Sequence, residues 1–430
     1  MTLQMLVILA PVFFGMMGFA IDLGRLYLVR GELSEAANAM ALAAAAQLIG
    51  TSSSLDNAGA AATQSIDPTN PLANKYFYAS LPVGQSTGNL VSSTASSFYA
   101  TVADATAGSS GSQADGTTAR DVLVSVTADT PLLFWSILPL GQSRKTTVAA
   151  QAIAGISAPL CTACGIEPFL VAALDSTDTV NFGFGDPTAG NLYTLAFECS
   201  GTPAPAALPG TATVIPYGIV NRYDTGNATL DETQQLFADG ASGLIASADP
   251  NPTGSPVPLA CVGINDASEV IWASTSPNLC STAAPVGVEE ALCGIYSRFD
   301  NLNPPGACQT NVSDFATIAT AFLPDTDITT GQANLYTDYT GNARRVITLP
   351  IVAALAPDVV TTMTVLGFRQ FLVELNSDGT FPDPTDINGR FVVMYIGSPK
   401  PVPQGYVDDR FSLACPVPVP SGPGKVVLHQ

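Results

Sequence analysis

Histidine is almost missing from this chain: His429, the penultimate residue, is the single one among 430. That scarcity argues against Ser-His-Asp and Cys-His catalysis and against zinc sites built on several imidazoles. Lysine is nearly as scarce, at Lys75, Lys145, Lys400 and Lys425, and charged residues of all kinds make up 12%. With a net charge of −20, the surface lacks the clustered cations that nucleic acid or anionic headgroups require. No nucleic-acid partner, no cofactor and no enzymatic activity are expected. Solubility has to rest on Ser, Thr, Asn and Asp, a texture that suits an exported structural domain better than a cytosolic enzyme.

Charge is missing altogether from the start of the chain. Leu3 to Ile21 contains none, and the first charged residues are Asp22 and Arg25. That run is close to the ~20 apolar residues needed to cross a hydrocarbon core. It continues without proline into the alanine-rich LYLVRGELSEAANAMALAAAAQLIG, dominated by the strongest helix former. One helix over residues 1–50 would be a rod of about 70 Å, half of it too polar for lipid. No Lys or Arg precedes the run, and it is longer than a signal-peptide core, so a retained membrane or filament anchor is the favoured reading over a cleaved signal. Arg25 and Arg30 on the C-terminal side would place the rest of the chain in the cytoplasm; the cysteine content and secreted texture downstream oppose that. A basic flank on a leader upstream of Met1 would reconcile the two.

The eight cysteines are Cys161, Cys164, Cys199, Cys261, Cys280, Cys293, Cys308 and Cys415. Cys161-Thr-Ala-Cys164 has redox-motif spacing, but Gly165 and Pro168 follow where such a motif would open a helix. No second close pair exists for a zinc knuckle. Structural disulfides in an oxidising compartment are expected, with the pairing open.

The fold class read from the pattern is α+β, in three parts. Residues 1–50 form the long helix. Residues 51–155 form a small helix-plus-strands unit, with strands at Val122–Ala128 and Thr146–Ala154, a short helix at Leu132–Leu138 and a flexible connection at 107–118. Leu132, Leu133, Phe134 and Trp135 are expected to seal the helix–strand contact. Residues 156–430 read as a mostly antiparallel β domain. Its apolar runs Phe169–Leu174, Tyr193–Phe197, Val346–Val352, Val365–Leu375 and Phe391–Ile396 are punctuated by Pro, Gly, Asn and Asp. Short helices are expected at Leu230–Phe237 and Asp314–Phe322.

The residues Pro11-Val-Phe-Phe-Gly-Met-Met-Gly-Phe-Ala-Ile-Asp-Leu-Gly-Arg25 resemble the N-terminal segment of TadE/TadG-like proteins of the Tad (Flp) pilus system. Their pattern is an apolar span with a proline, then an acidic residue, a variable residue, Gly and Arg, matched here by Pro11, Asp22, Gly24 and Arg25. Leu33-Ser-Glu-Ala-Ala-Asn-Ala-Met-Ala-Leu-Ala43 is similar to the alanine-rich stretch that follows, with Asn38 in an acidic place. Asp121–Phe134 and the strand at 146–154 are similar to a strand pair around a P-x-x-F turn, so a pilin-like unit is implied. Where pilins and TadE-type pseudopilins carry a glutamate, this chain has Met5, which makes it more similar to TadG. The resemblance implies a membrane-anchored pilus-assembly or filament component with a displayed domain, in the inner membrane or on the cell surface. It implies contacts with membrane or neighbouring subunits through the helix, with other pilus components, and an oligomer; an adhesin on the same anchor is the alternative. TadG-like members often hold a von Willebrand A-type metal site, but Asp175-Ser-Thr-Asp-Thr179 departs from D-x-S-x-S.

Several residues carry two readings. Asp22 is an interfacial group paired with Arg25 or a neighbouring chain, or else an assembly switch. Pro11, Gly15 and Gly18 kink the span or permit close helix contact, or are simply tolerated. The acidic pairs Asp325/Asp327, Asp383/Asp386 and Asp408/Asp409 suggest calcium, with solvated turns preferred. Sequons stand at Asn227 and Asn311.

Overall fold

A computed structural model describes residues 2–67, 93–132, 145–157, 162–164, 166–167, 169–197, 204–219, 261–264, 270–271, 286–299, 305–310, 324–327, 331–355, 362–397 and 424–429. The expected helices at Leu230–Phe237 and Asp314–Phe322, most of Leu132–Leu138, and both sequons lie outside them. The chain divides into two compact units. Unit 1 comprises Met1–Gly50, Ser54–Ile156 and Val426–Gln430; unit 2 comprises Thr51–Ser53 and Ser157–Lys425. In chain order, most of unit 2 is therefore inserted into unit 1 ahead of its last strand.

Helix α1 (Thr2–Ala45) runs through Pro11 without a break. Its last turn tightens, with Gln47 N–H donating to Ala44 O and Leu48 N–H to Ala45 O. Gly50 then takes φ 81°, a left-handed conformation that side chains resist. Helix α2 (Ser54–Gln64) packs Ala58 and Ala62 into the same core as α1. Strand β1 (Ser93–Tyr99), helix α3 (Val102–Ala107) and strands β2 (Asp121–Pro131) and β3 (Lys145–Ile156) follow. β1, β2 and β3 form an antiparallel meander, closed on its far edge by the C-terminal strand Val426–His429. Segment 107–118, expected to be a flexible connection, instead holds the end of α3, a 3-10 turn at Ser110–Ser112 and a bridge from Gln113 to Tyr99.

The core of unit 1 follows from two periodicities meeting. Val122, Val124, Val126 and Ala128 alternate along β2 and are fully buried, as period-2 side chains on one sheet face must be. Ala154, Ala152 and Ala150 of β3 stand opposite the three valines in register. Against this face α1 sets Val29, Leu33, Ala37, Met40, Ala41 and Ala44, one stripe at helical spacing. Alanine on both β3 and α1 leaves room for the valines and for Leu33.

Unit 2 is organised around a closed barrel. The remaining strands are β4 (Thr162–Cys164), β5 (Phe169–Ala172), β6 (Leu192–Phe197), β7 (Val214–Ile219), β8 (Cys261–Gly263), β9 (Val270–Ile271), β10 (Val346–Val352), β11 (Thr362–Met363), β12 (Val365–Glu374), β13 (Phe391–Gly397) and β14 (Val426–His429), the last belonging to unit 1. The barrel order is β10-β12-β13-β6-β7-β5. β5 with β10 and β6 with β7 run parallel, and the other neighbours are antiparallel. Its interior is filled by Leu195, Ile215, Tyr217, Ile347, Leu349, Phe371, Val373, Val393 and Tyr395. Phe184 enters from the β5–β6 connection and meets Phe371 and Tyr395 with ring centroids 5.4 Å apart. The β12–β13 pairing shifts register between Gln370 and Phe371, with Ile396 of β13 as the extra residue; Phe368, Phe371 and Val373 all belong to the core. Helices α4 (Val286–Tyr296) and α5 (Gly306–Thr310) are joined by the disulfide Cys293–Cys308.

Candidate functional site

Along the N-terminal half of α1 and just past it, large apolar side chains among the described residues are exposed. Phe13, Phe14, Met16, Met17, Phe19, Ile21, Leu23, Tyr27 and Leu28 are exposed, Phe13 at 66% and Tyr27 at 78%. Nine large apolar groups left in water would be unfavourable by roughly 1.5–3 kcal/mol each relative to burial, so this surface belongs against something apolar. From Pro11 to Ala45 the helix is long and apolar enough to cross a membrane. The covered stripe of unit 1 continues up this half only as a narrow line, through Val29, then Asp22 at 7% exposure, then Gly18.

The other residues singled out from the sequence fall along the same stretch. Met5 is exposed, Gly15 half-buried and Gly24 exposed. A Cβ at Gly15 or Gly24 would meet nothing within 4 Å, so packing within the chain does not require glycine at either. Asp22 and Arg25 are both engaged by partners, which suits a polar anchor at the edge of an apolar span.

A second concentration of chemistry lies inside unit 2, and the sequence reading missed it. Arg345 stands between the rings of Phe299 and Tyr339, 5.1 and 5.0 Å from their centroids. Its guanidinium reaches Asp327 at 2.9 Å, Glu374 at 3.4 Å and Asp325 at 3.9 Å. Tyr339 donates its hydroxyl hydrogen to Asp325. All four charged side chains are buried, so Asp325/Asp327 is a core element and not the solvated turn expected. Burial pushes the Glu374 carboxyl up to about 7 against the opposing pull of Arg345, and burial likewise raises Asp325. Nearby, Glu167 accepts from Arg298 at 3.0 Å and from the Thr348 backbone N–H at 2.9 Å. These contacts fasten the segment after α4 and the 325–327 turn onto β10 and β12. The charged groups pair with one another, an arrangement that holds the loops.

The acidic loops have a common construction. In Asp115-Gly-Thr117, Asp175-Ser-Thr177, Asp186-Pro-Thr188, Asp378-Gly-Thr380 and Asp383-Pro-Thr385, the Asp Oδ1 accepts from the Thr N–H at 2.8–3.0 Å and from its hydroxyl at 2.6–2.7 Å. Hydrogen bonds from these threonines hold the Asp115, Asp175, Asp186 and Asp378 carboxyls below their usual range. The segment weighed as a metal motif is one of these turns, and Asp178 spends its oxygens on the backbone N–H groups of Val180, Asn181 and Gly183. Asp386 pairs with Arg390 at 2.8 Å; Asp408/Asp409 lies outside the described residues. Among the described residues no group of three or more His, Cys, Asp or Glu is placed to hold a metal. The lone histidine, His429, lies 3.5 Å from Asp121 on the sheet edge of unit 1.

Of the cysteines, Cys293 and Cys308 are bonded, and Cys164 and Cys261 lie on β4 and β8. The Cys161-x-x-Cys164 motif thus runs into a strand. Cys161, Cys199, Cys280 and Cys415 lie outside the described residues.

Residues 1–47 match the family model described as putative Flp pilus-assembly TadE/G-like. No curated protein matches the chain, and no solved structure does. The matched segment falls on α1, the helix whose exposed apolar side chains are described above.

Proposed function

We propose that this chain is a TadG-like component of a Tad/Flp pilus system, held in the membrane by the first half of α1 and presenting both units outside the cytoplasm. One observation carries the reading: the helix matched by the pilus-assembly model buries its second half in unit 1 and leaves its first half apolar and bare. Met5 supports a TadG-like rather than a pilin-like role, because a methionine cannot neutralise a neighbouring subunit's terminal amine. In this reading unit 1, a long helix against an antiparallel sheet, is the pilin-like part, and it contacts other pilus components. The role is structural and not catalytic, in keeping with buried carboxylates that are tied up in ion pairs and a single histidine at a sheet edge.

In-frame deletion of the gene, with electron microscopy of surface filaments, tests the reading. Loss of filaments, restored by the full chain but not by one lacking residues 2–21, supports it. Filaments of normal number and length that no longer bind surfaces would favour the adhesin alternative and overturn the assembly role.

A further inference from the structure

We propose that Cys164 and Cys261 form a disulfide across the β4–β8 ribbon. The two strands pair antiparallel, with Thr162 opposite Gly263, Ala163 opposite Val262 and Cys164 opposite Cys261. Directly opposed residues in such a ladder have Cα atoms about 4.5–5.5 Å apart, within the about 4.4–6.8 Å that a disulfide spans. The observed Cys293–Cys308 bridge has 5.6 Å. Opposed residues also direct their Cβ atoms to the same sheet face.

The competing pairing is a local bridge from Cys161 to Cys164, which would leave Cys261 without its opposed partner on the ladder. The ribbon itself supplies a second reason. It is a separate two-stranded sheet of three residues per strand, outside the barrel, and isolated two-stranded pairs are marginal in water. A covalent staple explains why so short a ribbon persists. Together with Cys293–Cys308 it cuts the possible pairings of the remaining cysteines from fifteen to three.

Formation is a balanced exchange. The two thiols give up two protons and an electron pair, and the electrons pass to the disulfide of a thiol–disulfide oxidoreductase in the exporting compartment. One cysteine thiolate attacks that disulfide, the mixed disulfide is resolved by the other, and the oxidoreductase leaves as its dithiol. The inference rests on strand register and is independent of the pilus reading.

The test is a disulfide map of the full-length chain, denatured with alkylating agent and no reductant. No Lys or Arg lies between Lys145 and Arg222, so trypsin would leave Cys161, Cys164 and Cys199 in one fragment. Pepsin digestion with electron-transfer fragmentation separates them. The expected result is a peptide pair joined through Cys164 and Cys261, lost on reduction. Cys164 joined to any other cysteine, or either residue found alkylated, overturns the proposal. In Cys261→Ala, a maleimide applied under denaturing conditions is expected to label Cys164, and labelling of a different cysteine counts against it.

Discussion

Glu374 shows how one side chain sets a property of its unit. Burial pushes its carboxyl from 4.5 up to about 7, penalising the charged form more than Arg345 favours it. A carboxyl raised on folding contributes stability that is fully present below the unfolded value and is lost as pH rises through the folded one. Unit 2 is therefore expected to weaken from pH 4.5 to above 7, by on the order of a few kcal/mol from this group. Urea midpoints at pH 5.5 and pH 8 should differ more in the wild-type chain than in Glu374→Gln; an unchanged difference would remove Glu374 as the cause. Turn aspartates such as Asp186 act oppositely. Their lowered values contribute stability above about 3.8 that is lost under stronger acid. Gly155 makes a second residue-scale case, because a Cβ there would collide with the Asp121 carboxylate. Gly155→Ala is expected to destabilise unit 1 by about 1–3 kcal/mol, read as a lower melting temperature.

Among elements, α1 and the barrel strands were legible because each carries its pattern in a contiguous run. The apolar runs at 169–174, 193–197, 346–352, 365–375 and 391–396 became β5, β6, β10, β12 and β13, since strands buried on both faces need no alternation. By contrast α2, β1 and α3 fall in a stretch of Ala, Ser, Thr and Gly whose residues favour no single state. Their identity is decided by packing: Ala58 and Ala62 against α1, and Phe98 opposite Val122. The apolar run that opens α1 was readable for the same reason as the barrel. The Arg345 cluster was not, because Asp325, Arg345 and Glu374 come from separate segments and nothing local marks a carboxylate as buried. The stripe on α1 gives a direct check. Leu33→Ala is expected to cost about 2–5 kcal/mol, seen as earlier urea unfolding of unit 1, while Phe13→Ala should leave the midpoint unchanged.

For the whole molecule, the organising fact is that the chain leaves unit 1 after β3 and returns to it only with β14. That return had no signal in the sequence: Val426–His429 is four residues long, and its partner Ile153–Ile156 lies far back in the chain. The insertion lets unit 2 grow to most of the chain while α1 and its sheet stay one core. The central claim is that the uncovered half of α1 is a membrane anchor. Carbonate extraction of membranes from cells making the full chain, beside a chain lacking residues 2–21, tests it most directly. The full chain is expected to stay in the pellet and the shortened one to leave it; release of the full chain by carbonate would contradict the account.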